Sequence, residues 1–181
     1  EFVGVKMGFN PTLAFKKAVD LQPAIITNSW GFSIPGDVLP NYLKPLEAEI
    51  IRAVKELGIT VIFSAGNGHY GWPAQVPEVI AVGGVYAEKR MSGDEFGLKA
   101  SDYASSFVSQ IYPGRAVPDV CGLVGMKPRA IYIMLPVPPK CEIDRALAGS
   151  SFPDKDETAE DDGWAVISGT SAAAPQIAGV C

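Results

Sequence analysis

Apolar and polar positions change their period several times along the chain, and each change marks an element. "FVGVKM" (residues 2–7) is a largely apolar run and reads as a short buried strand. "NPTLAFKKAVDL" then takes helical spacing, with Asn10 placed as N-cap and Pro11 at the first helical position, where its missing N–H costs little. "AIITNSW" is a second strand, bounded by Pro23 and Gly31. After a Pro/Gly-rich loop, "PLEAEIIRAVKELG" sets Leu46, Ile50, Ile51, Val54 and Leu57 on one helical face, and Gly58 ends it. "TVIFSAG" and "VIAVGGV" are the third and fourth strands. Strands separated by helices at this spacing predict an α/β fold. Its sheet is parallel, with right-handed crossovers and helices on both faces.

The second half is looser. "DYASSFVS" is suited to pairing with or covering a sheet edge, and "PRAIYIMLPVPP" holds a strand that its prolines end. "FPDKDETAEDDGW" carries Asp154, Asp156, Glu157, Glu160, Asp161 and Asp162. Such a run is ordinarily just solvated. Its hard oxygen ligands would admit calcium, although the spacing does not match an EF-hand loop. No other cofactor or metal is indicated.

Composition narrows the function classes. Hydrophobic residues make up 48% of the 181 positions, which supplies a real core for one domain. The net charge of −5 argues against nucleic acid, whose phosphates call for clustered Lys and Arg. No apolar run reaches the roughly 20 residues that cross a bilayer. Cys121, Cys141 and Cys181 are odd in number and far apart, so they suggest neither a zinc site nor a disulfide framework. Both ends read as cut within elements, so the sequence is expected to be an excerpt of a larger domain. Nothing in it points to a compartment.

Two stretches could carry chemistry. In "SGTSAAAPQIAGV", Ser171 lies where a helix can begin, at the positive end of its dipole and among N–H groups without internal partners. Pro175 is expected to fall in the first turn, where its missing N–H is tolerated, and Ala172, Ala173 and Ala174 keep the serine accessible. An ordinary Ser N-cap would fit these residues too. In "VIFSAGNGHYGWP", Asn67 stands between two glycines just after a buried strand. It can aim its amide N–H at a substrate carbonyl oxygen, or simply stabilise its own turn.

Together these stretches resemble the subtilisin-like serine peptidases (subtilases). "SGTSAAAPQIAGV" is similar to that family's nucleophile motif and "SAGNG" to its oxyanion-hole segment. "PAQVPEVIAVGGV" resembles the strand that follows, "NSWGF" the substrate-binding strand, and "VPDV" the Pro-Asp stretch before the nucleophile. The resemblance runs in the family's order from Ile25 to Val180 and implies a subtilisin-like fold. It implies Ser171 as nucleophile, with Asn67 and the Ser171 N–H as oxyanion hole. Ser29, Trp30 and Gly31 would form one edge of the peptide cleft, and Ser64, Ala65 and Gly66 the other side of the specificity pocket. Trp30 stands where smaller residues are common in the family, so it either reshapes the cleft or packs into the core. The related sedolisins carry Asp at the place of Asn67, so the asparagine favours the subtilisin branch.

A nucleophilic serine needs a base and an acid. The single histidine, His69, matches neither the family's base motif nor its order, and reads as a rim or surface residue. Asp102 and Asp119 sit in no matching acid motif. Base and acid are expected upstream of Glu1, and this chain alone is expected to be nearly inactive. The implied partners are a peptide or protein substrate and, beyond it, a propeptide or the rest of the catalytic domain. A peptide macrocyclase or transamidase on the same fold, or a non-catalytic peptide-binding domain, remain the alternatives to a serine endopeptidase.

Overall fold

In the computed structural model, which describes residues 1–89, 96–126, 133–149 and 158–181, the first helix starts as its sequence requires. Asn10 Oδ1 accepts the Leu13 N–H at 3.0 Å, and Pro11 opens α1 (Pro11–Asp20). The chain continues through β1 (Ile25–Asn28), β2 (Phe32–Ser33), α2 (Lys44–Lys55), β3 (Thr60–Ser64), β4 (Gly71–Trp72) and β5 (Ile80–Lys89). Then come β6 (Phe96–Ala100), β7 (Phe107–Val108), β8 (Ala116–Val117), β9 (Val120–Leu123) and β10 (Ile133–Pro136). α3 (Glu142–Leu147), β11 (Trp164–Ile167) and α4 (Thr170–Val180) close it.

The main sheet is parallel where helices connect its strands. β1 pairs with β3 from Ile25↔Thr60 to Asn28↔Phe63, β3 with β5 at Ile62↔Ile80, and β5 with β9 at Val82↔Val120. β6 pairs antiparallel with the far half of β5. Val85 pairs with both Ala100 and Leu123, so β6 and β9 flank β5 on opposite sides.

Successive side chains of a strand point to opposite faces, and the sheet uses both. Val61 and Phe63 join Ile26 and Ala81 in a core with Phe15 and Val19 of α1 and Leu46, Ile50 and Ala53 of α2. Ile62 and Val82 point the other way, into a second core with Val124 and Ala173 and Ala174 of α4. Helices therefore cover both faces, as the α/β reading required. Small residues bring α4 close: a Cβ on Gly122 would lie 2.8 Å from the Ala173 carbonyl oxygen. The Gln176 side chain then pairs with β9 as a strand would. Its Oε1 accepts the Leu123 N–H at 3.0 Å and its Nε2 donates to the Leu123 carbonyl at 2.8 Å.

Some expectations fail for physical reasons. Residues 2–7 form no strand; they pair with no strand among the described residues, and Phe2 is 89% exposed. An apolar run suits a buried strand, but a strand also needs a ladder partner. On α2 the fully buried positions are Leu46, Ile50 and Ala53, while Leu57 lies past the helix end, 43% exposed. Gly58, at φ +68°, makes the turn there. "DYASSFVS" supplies only the two residues of β7, paired with β8, and the proline-rich stretch supplies β10, antiparallel to β11. Of the acidic run, Asp154, Asp156 and Glu157 lie outside the described residues. Asp162 accepts the Ala159 and Trp164 N–H groups, and no metal-suited cluster of three or more occurs among the described residues.

Across the first core, the Tyr112 hydroxyl donates to Glu47 of α2 and accepts the Trp72 indole N–H at 3.2 Å. Burial, reinforced by the bond to Glu47, raises the Tyr112 pKa above its ordinary value. A phenol held protonated in the fold but free to ionise when unfolded contributes stability below the unfolded pKa. That stability is lost as pH rises past it. Unfolding titrations should therefore show stability falling above about pH 10, with a shallower fall in Tyr112→Phe. Removing the Ile50 side chain beyond Cβ (Ile50→Ala) should cost about 2–5 kcal/mol in chemical denaturation, through lost burial and a residual cavity.

Candidate active site

The carboxyl ends of β1 and β3 lie at one edge of the sheet, where loops of an α/β fold form a crevice. Residues 29–31 leave β1 there, residues 65–68 leave β3, and residues 168–171 lead into α4.

The loop into α4 turns at Gly169, whose φ of +119° favours glycine. Beyond it, the Thr170 N–H donates to Asn67 Oδ1 at 3.0 Å, and the Thr170 hydroxyl donates to the same oxygen at 3.0 Å. That hydroxyl accepts the Gly66 N–H at 3.2 Å. Two donors on one oxygen settle which way the Asn67 amide lies, because only Oδ1 can accept. Nδ2 is left at the exposed side, with no acceptor among the described residues. The Ser171 N–H also has none there, as the opening turn of a helix allows. A Cβ on Gly169 would lie 3.4 Å from Asn67 Nδ2, 3.8 Å from Asn67 Oδ1, whose lone pairs face Thr170, and 3.9 Å from the Ser171 nitrogen. The absent side chain thus leaves a small space bordered by two N–H donors. Ser171 is exposed beside it, while Thr170 and Ala172–Ala174 are buried.

Pro175 does not fall in the first turn. α4 begins at Thr170, which makes Pro175 its sixth residue, and the proline leaves the Ser171 carbonyl without the amide that would bond it. Ser29 fills the gap: its Oγ donates to that carbonyl at 2.8 Å. An interior proline costs on the order of 3 kcal/mol and one hydrogen bond returns about 1 kcal/mol, so packing of the small helix on the sheet supplies the balance.

The other candidates divide. Trp30 is half-buried, edge-on to Phe63 at 5.3 Å and to Phe32 at 6.2 Å, so it packs against the core at the crevice edge. A Cβ on Gly31 would lie 2.7 Å from the Trp72 carbonyl oxygen, so only glycine lets β4 approach there. Ser64 ends β3, and Ala65, fully buried, bonds through its N–H to the Val82 carbonyl at 2.8 Å. The His69 ring lies over Gly66, its Nε2 2.9 Å from where a Cβ would stand, and no hydrogen bond joins it to Ser171. Asp102 is exposed. Asp119 is engaged elsewhere, pairing with Arg115 and accepting the Ala81 N–H at 2.7 Å.

Three residues escaped the sequence reading. Thr170 orients Asn67, as described. Ser105, buried, accepts the Gly68 and His69 N–H groups, each at 3.1 Å, and donates to the His69 carbonyl at 2.7 Å. The Tyr103 hydroxyl accepts the Gly169 N–H at 2.9 Å and donates to the Gly125 carbonyl at 2.8 Å. The only signal for the last two was a run of hydroxyl-bearing and small residues, "SDYASS", where apolar alternation would otherwise mark a strand.

Comparison with known proteins follows the same direction. The family model Peptidase_S8, Subtilase family, matches residues 9–181. No curated protein sequence matches the chain. Among solved structures, a lanthipeptide protease superposes with a TM-score of 0.60 at 20% identity, over 94% of this chain and 49% of its own. The prenylagaramide maturation protease PagA gives 0.52 at 20% identity, over 99% of this chain and 50% of its own. The PatG macrocyclase in complex with peptide gives 0.52 at 17%, over 94% and 39%. The chain spans at most about half the length of these three structures, and at such identities they speak for the fold alone. With a family model covering nearly all of the sequence, and Asn67 and Ser171 meeting at one edge of the sheet, the chain belongs to the subtilase family.

Proposed function

We propose that residues 1–181 form the part of a serine endopeptidase that carries the nucleophile and the oxyanion hole. One observation supports this above the rest: Asn67 Nδ2 and the Ser171 N–H border the same small space, beside an exposed serine hydroxyl. A peptide carbonyl oxygen seated there would gain two donors as negative charge develops on it, and donors fixed in advance need no reorganisation at that moment. Ser171 Oγ attacks the carbonyl carbon, the oxyanion forms between the donors, and its collapse expels the amine and leaves an acyl-enzyme. Water then releases the acid.

Ser29, Trp30 and Gly31 on one side, and Ser64, Ala65 and Gly66 on the other, hold the substrate backbone and its side chain in this reading. The proton of Ser171 passes in this reading to a base carried outside these residues, since no hydrogen bond joins the His69 ring to Ser171 and its contact is with Gly66. An acid from the same source orients that base.

The full-length protein should take up a fluorophosphonate at Ser171, read by peptide mass, and Ser171→Ala should take up none. An unlabelled Ser171 in folded full-length protein would falsify the peptidase reading. On a cleaved peptide, Asn67→Ala should lower kcat by roughly 10²–10³ with little change in KM, the signature of a donor used only in the transition state. The same assay distinguishes acceptors: hydrolysis adds the mass of water across the cleaved bond, whereas transamidation joins the acyl group to an amine. His69→Ala should keep kcat within a few-fold of the parent, whereas loss of a general base costs about 10²-fold or more.

A further inference from the structure

The two donors come from segments about a hundred residues apart, and direct bonds between the segments run from Thr170 to Asn67 and Gly66. A third segment touches both. Ser105 holds the loop that carries Asn67: its N–H donates to the Gly66 carbonyl at 2.9 Å, and its hydroxyl accepts the Gly68 and His69 N–H groups and donates to the His69 carbonyl. Two residues earlier, Tyr103 holds the loop that carries Ser171. Its hydroxyl accepts the Gly169 N–H and is itself anchored on the Gly125 carbonyl, just past β9. The segment has its own anchorage, since the Ser101 N–H donates to the Gly84 carbonyl at 3.0 Å and Ser101 Oγ accepts the Tyr103 and Ala104 N–H groups, each at 3.3 Å.

From this we infer that residues 101–105 act as a bracket that sets the separation of the two oxyanion donors, with Tyr103 and Ser105 as positioning residues. The inference rests on the peptidase reading and goes beyond it, because both residues bond main-chain groups of the two loops rather than the donors themselves. Tyr103 fixes Gly169, whose bare Cα bounds the oxyanion space. Ser105 fixes the turn on either side of Asn67. The Gly169 N–H lies just ahead of the helix, and without Tyr103 it would turn to water and free the glycine to move. The acceptor distances at both ends of the bracket are ordinary, so the contacts hold geometry without strain.

The test uses the full-length enzyme, with Tyr103→Phe, Ser105→Ala and the double variant. Each is measured for kcat and KM on a cleaved peptide, for the rate of fluorophosphonate labelling, and for melting temperature. Loosening a donor is milder than removing it, so each single variant should lose about tenfold in kcat and in labelling rate, with KM within twofold. The double variant should be little worse than the poorer single one, since breaking either link releases the same spacing. Active-site titration corrects every rate for the folded fraction, so a variant that merely unfolds in part shows normal kcat per titrated site. That result, or effects that multiply in the double variant, or a change confined to KM, overturns the bracket. A parent enzyme that fails to label at Ser171 overturns the peptidase reading and the bracket with it. A labelled parent with Tyr103→Phe and Ser105→Ala equally fast overturns the bracket alone.

Discussion

One oxygen atom, Asn67 Oδ1, accepts both the backbone N–H and the hydroxyl of Thr170, and the relative placement of Asn67 and Ser171 follows from that pair of hydrogen bonds. An asparagine amide can present either end to a neighbour at similar cost in packing. The Thr170 N–H can only donate, so the opposite orientation would set Nδ2 against it and lose that bond, and Nδ2 is committed to the open side. The amide is thereby turned before any ligand arrives. A donor held in this way is worth more to a developing charge than one that must first rotate into place.

The parallel sheet makes this bond available. Strands that run the same way deliver their following loops to the same edge, and helix α4 returns across the second core to bring its first turn there. Its approach depends on smallness at the contact, with Gly122 under the Ala173 backbone and Ala173 and Ala174 fully buried. A larger residue on either side would lift the helix and draw Thr170 away from Asn67. The chemistry of the crevice and the packing beneath it are therefore one constraint.

How far the sequence disclosed this can be read from particular residues. α1, α2 and the parallel strands were legible because apolar period and cap residues are local properties: Asn10, Pro11 and Gly58 act where they stand. "FVGVKM" misled because an apolar run alone says nothing of a pairing partner. Ala53 replaced Leu57 on the buried face because a small side chain close to the sheet outweighs a larger one past the last turn. Ser171 and Asn67 stood out through motif. Thr170, Tyr103 and the Ser29 contact did not, because each acts on main-chain groups or on a distant side chain, and such bonds leave no mark on composition. Pro175 was misplaced for a related reason. A proline beyond the first turn is tolerable only when another residue bonds the freed carbonyl, and Ser29 lies 142 positions away from it in sequence.

The grip of Gln176 on Leu123 has a consequence for solubility. β9 pairs with β5 on one side, and among the described residues no strand covers its other side. A bare margin of this kind is a template on which foreign chains can stack. Here the carboxamide of a helix residue occupies both main-chain valences of Leu123, so an intruding chain would first have to prise α4 from the sheet. The helix that bears Ser171 is also the guard of that margin, and protection from self-association lasts as long as the helix stays docked.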